Sequence, residues 1–350
     1  MLKFFRRIRR KLLNEENLKK YLIYAFGEIF LVVIGILIAL QVNNWNEKRK
    51  NKQEVEILIN LLEKELVENI RIDSRNIDFG YRKDSLINLV LSEKVTRQMY
   101  YEDGELRNLI LNFFPGGPNY EALEKILIRE ENFPKYLEIL LPMLKEYKKR
   151  IDEYNTGQGP IITNLVEDNY LYLINNYPWF SRNDSVALVT KTEYFLKDPI
   201  YRNRVAFYES VVLQNGIRRR LELRSLALGL LVQLKIKREA YQVGDIRELL
   251  ENHGLSPFEI ISCETDYTRW ERVGSLPYFP LLLINQKNDP VVLFQLNDKG
   301  RRVNQVKFEP NEIKANRFIG RVFDGDIFEI GEAKDCKRFI AVKDGYLVIE

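Results

Sequence analysis

The side chains best suited to catalysis are few in this chain of 350 residues. His253 is the single histidine, and Cys263 and Cys336 are the two cysteines. A cysteine–histidine nucleophile pair would use Cys263 and His253, but the sequence indicates no third group to orient the histidine. His253 also follows a predicted helix, where a cation interacts favourably with the helix dipole. We therefore interpret His253 as a helix-end residue and expect no zinc or multi-histidine site.

The two cysteines have a second use. In an oxidising compartment Cys263 and Cys336 can pair, and the cross-link is worth about 4 kcal/mol in the chain-entropy model. The alternative is a pair of buried free thiols. The sequence leaves both open, because it does not show whether the two residues meet.

Carboxylates are the remaining source of chemistry. A glycan hydrolase needs two facing acids, and Glu65, Glu68, Glu167 and Asp168 are candidates, although the pattern places each on a solvated helix face. Asp324-Gly325-Asp326 fits a metal loop, but such a motif is more often a hairpin turn. Nucleotide-binding glycine motifs and G-x-S-x-G are missing from the sequence. We expect no bound cofactor or metal, and a binding role is favoured over catalysis.

One apolar segment determines where these residues are located. Residues 21–42, YLIYAFGEIFLVVIGILIALQV, give about 33 Å of helix at about 1.5 Å per residue, enough for a hydrocarbon core of about 30 Å. A cleaved signal peptide is the alternative, but its apolar run is about 7–15 residues and ends in an A-x-A pattern. The segment is therefore predicted to be an uncleaved signal-anchor.

Basic residues set the predicted orientation. Eight precede the span and four follow it, namely Lys3, Arg6, Arg7, Arg9, Arg10, Lys11, Lys19 and Lys20, then Lys48, Arg49, Lys50 and Lys52. The excess places the amino terminus in the cytoplasm and the chain from Asn43 onward outside it. Residues 1–52 hold 12 basic and 4 acidic residues, whereas the remainder holds 42 and 46. The lipid bilayer is thus an expected partner, and nucleic acid is not.

Glu28 lies inside the apolar segment and has two interpretations. It can snorkel to the cytoplasmic interface, because it is about 10 Å from Tyr21 along the helix. It can also face a second span, because Gly35 lies two turns further on the same face and Gly35-x-x-x-Ala39 is a small-residue pair that lets backbones approach. Self-association through Glu28, Gly35 and Ala39 is the functional hypothesis.

Beyond the span the periodicity is helical. Val55, Leu58, Ile59, Leu62, Leu66 and Ile70 recur at three- and four-residue steps, and residues 86–90 indicate a second helix. Phe113–Pro118 is predicted to be a turn, Asn155–Pro160 a linker, and Asn215-Gly216 the break of a helical hairpin. Asp198-Pro199 is a helix start, and Leu226–Leu234 is predicted to be a buried core helix because basic residues crowd both ends. Asp245 with Glu248 and then Gly254 bracket a last helix.

Near residue 276 the period changes to that of β-strands. The predicted strands are separated by Asn, Asp, Gly and Pro turns and lie at Pro277–Ile284, Val291–Leu296, Val303–Phe308, Arg317–Phe323, Ile327–Ile330, Phe339–Val342 and Tyr346–Ile349. Such a run predicts a small antiparallel sandwich or barrel. Six phenylalanines either form an exposed patch for a partner or fill the interior, namely Phe279, Phe294, Phe308, Phe318, Phe323 and Phe328.

Two stretches at the start of the chain, MLKFFRRIRRKLLNEEN and KKYLIYAFGEIFLVVIGILIALQVNNWNEKRK, carry a family resemblance. They are similar to the opening of a family of uncharacterised single-pass membrane proteins of Gram-negative bacteria, known as a domain of unknown function. The resemblance continues more loosely through NYEALEKIL and LKEYKKRIDEYN to about residue 155. It implies an inner-membrane anchor with a periplasmic helical domain, and no activity, ligand or catalytic residue.

A second resemblance is carried by NDPVVLFQLNDKG, by Pro310 and by GDIFEI at Gly325–Ile330. This part is similar to the β domain of the von Hippel–Lindau tumour suppressor, which implies a peptide-binding sandwich. The family's hydroxyproline pocket uses a histidine and a tryptophan where this chain has Asp326 and Phe328. Hydroxyproline recognition is therefore not expected, and no site residue carries over.

Together these observations predict a mostly α protein with an N-terminal transmembrane helix, a periplasmic helical bundle and a small C-terminal antiparallel β-sandwich. The expected divisions are a cytoplasmic tail (1–20), the span (21–42), helical parts (43–155 and 160–255) and a β domain (276–350). The predicted function is that of a membrane-anchored interaction module for a periplasmic protein or peptide. A carboxylate-based hydrolase acting on glycan or envelope substrates is the alternative.

Overall fold

The computed structural model describes residues 18–113, 117–263, 282–297, 299–310, 312–315, 325–331 and 336–350. Some sequence predictions lie outside these ranges, namely the basic tail (1–17), the centre of the Phe113–Pro118 turn, the strand Arg317–Phe323, and Phe279, Phe318, Phe323 and Asp324. The chain divides into two compact units. The first contains residues up to Ile57 with Glu131–Pro134, and the second contains Leu58–Glu130 and Lys135–Glu350.

Helices dominate the described residues. Helices α1 to α10 span Leu18–Leu91, Arg97–Glu102, Gly104–Arg107, Glu121–Leu127, Lys135–Glu153, Gly159–Asn176, Ser185–Lys197, Pro199–Tyr208, Arg218–Glu239 and Val243–Asn252. Two π-helical segments, Tyr154–Gln158 and Glu209–Ile217, and a 3₁₀ turn, Glu130–Asn132, lie between them. Strands β1 to β9 span Ser256–Pro257, Glu259–Ile261, Leu282–Asn285, Val291–Leu296, Arg302–Phe308, Ile313–Ala315, Ile327–Ile330, Lys337–Ile340 and Gly345–Ile349.

Helix α1 is a single helix of 74 residues, and this corrects the prediction of separate helices after the span. The sequence between Leu18 and Leu91 has no proline that would break the helix. Its glycines are isolated, and each destabilises the helix by only about 1 kcal/mol relative to alanine. Gly80 has a packing reason, because a Cβ there would lie 2.6 Å from the Ile217 side chain. The helix ends where Glu93 adopts a left-handed φ of 58°.

The first unit is the amino-terminal part of α1 with one short segment. Judged by length and composition, this is the one helix among the described residues that could cross a membrane. None of its most apolar 18-residue stretch is buried. Large apolar side chains such as Phe26, Leu31 and Ile38 are more than half exposed. Outside a membrane such a surface would be unfavourable, because about 25 cal/mol is lost for each Å² of apolar area left in water.

The helical part of the second unit confirms the predicted amphipathic pattern. Leu62, Leu66 and Ile70 on α1 are fully or almost fully buried. The expected core helix over Leu226–Leu234 is also confirmed, since Ala227, Leu228, Leu230, Leu231, Val232 and Leu234 are buried on α9. Asp198 starts α8 as predicted, because its carboxylate accepts the backbone N–H groups of Ile200 at 2.7 Å and Tyr201 at 3.3 Å.

Two segments expected to interrupt the helices are themselves helical. Asn155–Pro160 lies in the π-helical turn and the start of α6, where Pro160 falls in the first turn and needs no N–H partner. Asn215-Gly216 lies in the second π-helical segment, so no hairpin forms there. Gly216 serves packing instead, because a Cβ would lie 2.7 Å from the Ile162 side chain. The residues before and after each of these two segments belong to the same compact unit, the second one.

The carboxyl-terminal part forms two sheets. The five-stranded sheet has the order β2-β8-β7-β4-β5 and is antiparallel throughout, as predicted. The four-stranded sheet has the order β1-β9-β3-β6, and its β1–β9 and β3–β9 pairs are parallel. This mixed sheet was not predicted. Strands β1, β2 and β6 were also missed, because two or three residues are too few to show an alternating pattern.

One apolar cluster draws side chains from both sheets. It includes Leu283 and Leu347 from the four-stranded sheet and Leu293, Phe328 and Phe339 from the five-stranded sheet. The same region packs on the helices of its unit. A Cβ at Gly229 of α9 would lie 3.8 Å from Leu282 and 3.6 Å from Ile313, and Arg224 of α9 forms an ion pair with Asp344. The carboxyl-terminal strands therefore pack against α9.

Candidate functional site

Helix α1 carries a line of polar side chains on its buried face. The first five are spaced by three, four or seven residues and so fall along one side of the helix, and the sixth directly follows the fifth; they are Glu65, Asn69, Asp73, Asn76, Lys83 and Asp84. Each is at most 8% exposed. Buried polar groups are unfavourable unless they are hydrogen-bonded, so the partners of this line indicate what it does.

The first two residues bind the backbone at the start of α4 and just before it. Glu65 accepts the N–H of Ala122 at 2.8 Å and that of Leu123 at 3.1 Å, and thereby caps α4 from outside the helix. Burial raises the pKa of this carboxyl, and the two backbone N–H groups oppose the rise. Asn69 donates to the Asn119 carbonyl at 2.6 Å and accepts the Asn119 N–H at 2.8 Å. Both residues thus fix the chain that enters α4.

Further along α1, Lys83 also binds backbone groups of a neighbouring segment. Its ammonium donates to the carbonyl oxygens of Leu109 at 3.1 Å and Asn108 at 3.3 Å, just after α3. Burial lowers the pKa of Lys83 to about 8. A cation bonded to helix-terminal carbonyls is a favourable use of a buried amine.

Asp73 and Arg220 form the centre of this polar line. Arg220 Nη1 donates to Asp73 Oδ1 at 2.9 Å, and Arg220 Nη2 donates to the Tyr154 hydroxyl at 2.9 Å. The side chains of the ion pair are 2% and 0% exposed. Burial raises the pKa of Asp73 to about 6, although Arg220 opposes the rise. Asp73 Oδ2 has no hydrogen-bond partner in the part of the chain that the structure describes.

A small cavity lies beside Arg220 where the two π-helical segments meet. It is lined by Asn76, Phe79, Phe113, Tyr154, Ile162, Val212, Gly216, Ile217 and Arg220. Gln158 of the first segment donates to the Val211 carbonyl of the second at 2.9 Å. π-helical turns are frequent at functional sites. However, the free space is about 20 Å³, which admits one water-sized molecule and no organic substrate.

The cluster of Asp73, Arg220 and Tyr154 was not predicted from the sequence, although the spacing of residues contains a signal for it. Leu66, Ile70, Asp73 and Ile77 follow the four-, three- and four-residue spacing of the buried stripe, so Asp73 occupies a position expected for an apolar residue. Arg220 likewise follows the buried Leu213 and Ile217 at steps of four and three. A charged residue on each of two apolar stripes is the signature of a buried ion pair.

The residues predicted for contact within the membrane all lie in the first unit. Gly35 and Ala39 are exposed on α1, and Glu28 is half-buried. Apart from its chain neighbours and its own helix backbone, no heavy atom of the described residues lies within 4 Å of a Cβ placed at Gly35. The small-residue pair is therefore accessible from outside the helix.

The two cysteines meet. Cys263 follows β2 and Cys336 precedes β8, and the structure joins them in a disulfide with Cα atoms 6.3 Å apart. Strands β2 and β8 pair directly, which brings the two residues together. Arg338 connects to this bridge by donating to the Cys263 carbonyl at 2.6 Å and to Glu329 at 2.6 Å. Its guanidinium, with that of Arg302, lowers the pKa of Glu329 against the effect of burial.

The remaining candidates for chemistry are dispersed. His253 lies at the end of α10, as predicted, and burial lowers its pKa. Among the four acids, Glu65 caps α4, Glu68 accepts from Arg71 at 2.8 Å, Asp168 accepts from Arg204 at 2.8 Å, and Glu167 is exposed. In the described ranges no three metal-ligating side chains come together.

Asp326 and the described phenylalanines also have structural partners. Asp326 accepts from the Gln295 amide at 3.0 Å, and its backbone pairs with Ala341. Phe308 and Phe328 are fully buried, while Phe294 lies 4.0 Å beneath the Arg302 guanidinium. Phe308 and Phe328 fill the interior, and Phe294 is half-buried beneath Arg302.

The comparisons with known proteins relate part of the chain to a family model. Residues 28–100 are similar to a family model described as a family of unknown function (DUF6090). This stretch covers Gly35, Ala39 and the whole polar line of α1. No curated protein and no solved structure matches the chain.

Proposed function

We propose that this chain is a membrane-anchored binding protein with a single span. The observation that carries the proposal is the apolar segment of α1, which is long enough to cross a bilayer and is unburied. The eight-to-four excess of basic residues before the span supports a cytoplasmic amino terminus and a periplasmic remainder. The resemblance stated above supports a location in the inner membrane of a Gram-negative bacterium.

Self-association in the membrane is part of the proposal. Gly35 and Ala39 lie on the exposed stretch of α1, seven and eleven residues after the half-buried Glu28, and the small pair allows close approach of a second copy. Gly35→Ile is expected to weaken dimerisation of the full chain, measured by cross-linking in membranes, by more than Ile36→Leu does. Equal behaviour of the two variants would leave Glu28 as a snorkelling residue.

The proposed partner surface lies on the outward faces of α6, α7 and α8. These helices share an aromatic interior, in which Trp179 packs against Tyr194 at 5.4 Å between ring centroids. Their outward sides carry exposed apolar residues at spacings of three or seven, namely Leu171 and Ile174, Val186 and Val189, and Ile200 and Phe207. Leu171 and Phe207 are 57% and 59% exposed. Apolar surface of this kind favours a protein or peptide partner.

The phenylalanines of the carboxyl-terminal strands give this proposal no support. Phe308 and Phe328 are buried and Phe294 lies beneath the Arg302 guanidinium, whereas Phe279, Phe318 and Phe323 lie outside the described residues. A sandwich of the two sheets, similar to the von Hippel–Lindau β domain, stays a proposal about architecture. The hydrolase alternative has no supporting observation, since the four named acids are engaged separately or exposed.

Cross-linking in cells that express the protein naturally would test the binding role. A photoreactive amino acid at Phe207 of the full chain should give a specific protein adduct, and the double variant Leu171→Gln/Ile174→Gln should reduce its yield at least about fivefold, since hot-spot truncations cost about 1–2 kcal/mol. The same photoreactive group at Ile128, which is 75% exposed elsewhere in the unit, is the matched control. Equal adducts at both positions, or none at Phe207, would contradict the proposal.

A further inference from the structure

The first unit contains a pocket just beyond the apolar segment of α1. It has a volume of about 370 Å³ and is lined by Trp45, Lys48, Arg49, Lys52, Glu131 and Phe133. The volume lies within the range of about 300–1,000 Å³ that small-molecule sites occupy. All six residues belong to the same compact unit.

The helix side of the pocket follows from residue spacing. Trp45, Lys48, Arg49 and Lys52 fall at steps of three and four, so they occupy one face of α1. The Arg49 guanidinium lies 5.4 Å from the centroid of the Trp45 ring, within the range of a cation–π contact. Three cationic side chains are thus collected on one helix face beside an indole.

The other side of the pocket differs in chemistry. Phe133 is 7% exposed and supplies an apolar wall, whereas Glu131 supplies one carboxylate. Three cations and one carboxylate leave a net charge of +2 in the pocket. A ligand that fits this lining carries an anionic phosphate, a hydroxyl to donate to the carboxylate, and an apolar part.

The position along α1 identifies the source of such a ligand. Trp45 lies three residues, or about 4.5 Å along the helix, beyond Val42, which is the last residue of the apolar segment. Indole rings prefer the headgroup level of a bilayer, and lysine and arginine near the surface attract anionic lipids. In a chain anchored by this helix, as proposed above, the pocket therefore faces phospholipid headgroups.

We propose that this pocket binds the headgroup of an anionic glycerophospholipid. Lys48, Arg49 and Lys52 hold the phosphate, Glu131 accepts a hydroxyl of the headgroup, and Trp45 and Phe133 contact the glycerol and upper acyl carbons. Such a site would bind one specific lipid, in addition to the non-specific attraction between the basic residues and anionic lipids.

The full chain, purified and delipidated in a non-ionic detergent, allows a direct test. Native mass spectrometry during titration with phosphatidylglycerol should show one tightly bound lipid, and phosphatidylcholine should bind at least tenfold more weakly. Arg49→Gln should weaken phosphatidylglycerol binding about fivefold, which is the effect of about 1 kcal/mol per basic residue. The triple variant Lys48→Gln/Arg49→Gln/Lys52→Gln should abolish the preference over phosphatidylcholine.

Lys50→Gln is the matched control, because Lys50 is an exposed cation next to Arg49 that does not line the pocket. It should change binding less than twofold. Equal effects of Arg49→Gln and Lys50→Gln would overturn the proposal in favour of diffuse attraction. Displacement of the lipid by 10 mM inorganic phosphate would also overturn it, since the site would then take free phosphate.

Failure of the headgroup site is distinguishable from failure of the anchor. Alkaline carbonate extraction of cell membranes reports whether the chain is integral, and it does not depend on Arg49. Release of the wild-type chain by carbonate would contradict the anchoring. Retention by the membrane together with no preference for phosphatidylglycerol in detergent would contradict the pocket alone.

Discussion

Asp73 and Arg220 come from positions 147 residues apart and form an ion pair out of contact with water. Taking both charges out of water is unfavourable, and the attraction compensates only when the remaining donors are satisfied. Arg220 meets this condition through Tyr154, whose ring also lies 4.2 Å from the guanidinium carbon. The hydrogen bonds of Arg220 to Asp73 and to Tyr154 thus join α1, α9 and the first π-helical segment. Two apolar residues in place of the ion pair would not need these hydrogen-bond partners, so the pair specifies how the three elements meet.

We predict that Asp73→Ala lowers the free energy of unfolding by about 3–5 kcal/mol, because it leaves the Arg220 charge buried without its carboxylate. Chemical denaturation of the full chain in detergent, followed by circular dichroism, measures the change. Asp78→Ala on the exposed side of the same helix is the control and should stay within about 0.5 kcal/mol of wild type. Comparable losses for the two variants would contradict the role of the pair.

At the scale of elements, the carboxyl-terminal strands are held together by long-range connections. Strand β9 is the last in sequence, yet it lies between β1 and β3. Strand β2 comes before the undescribed residues 264–281 and pairs with β8, which is 76 residues further along. Such non-local pairing is entropically costly to form. The Cys263–Cys336 bridge links the ends of β2 and β8 and reduces that cost.

The bridge gives the second prediction. Thiol titration of the purified, denatured chain should find no free thiol without reductant and two after reduction. Cys263→Ser should lower the free energy of unfolding by up to about 4 kcal/mol, since the bridge closes a separation of 73 residues. The reduced wild-type chain should be destabilised to a similar extent. Two free thiols in chain isolated from membranes under non-reducing conditions would contradict the pairing.

At the scale of the whole molecule, charge is distributed unevenly along the chain. Residues 1–52 carry a net charge of +8, and the other 298 residues carry −4. The excess flanks the apolar segment of α1, where anionic headgroups attract it. This distribution is consistent with the membrane anchoring proposed above.

The orientation gives the third prediction. Cysteines introduced at Asn14 and Asn44, in a background carrying Cys263→Ser and Cys336→Ser, should react oppositely with a membrane-impermeant maleimide in intact spheroplasts. Position 44 should be labelled and position 14 protected until the membrane is permeabilised. Labelling at position 14 alone would reverse the topology, and equal labelling at both before permeabilisation would contradict a single span.

The sequence by itself determined the apolar segment, the amphipathic stripe of Leu62, Leu66 and Ile70, the Asp198 cap and the longer strands. These features depend on local periodicity and capping, which neighbouring residues express without knowledge of the rest of the chain. Only the tertiary structure decided that Gly216 serves close packing against Ile162 rather than a turn, and that Asp73 meets Arg220. Those outcomes depend on residues brought together from distant positions, and local propensity carries no information about such contacts.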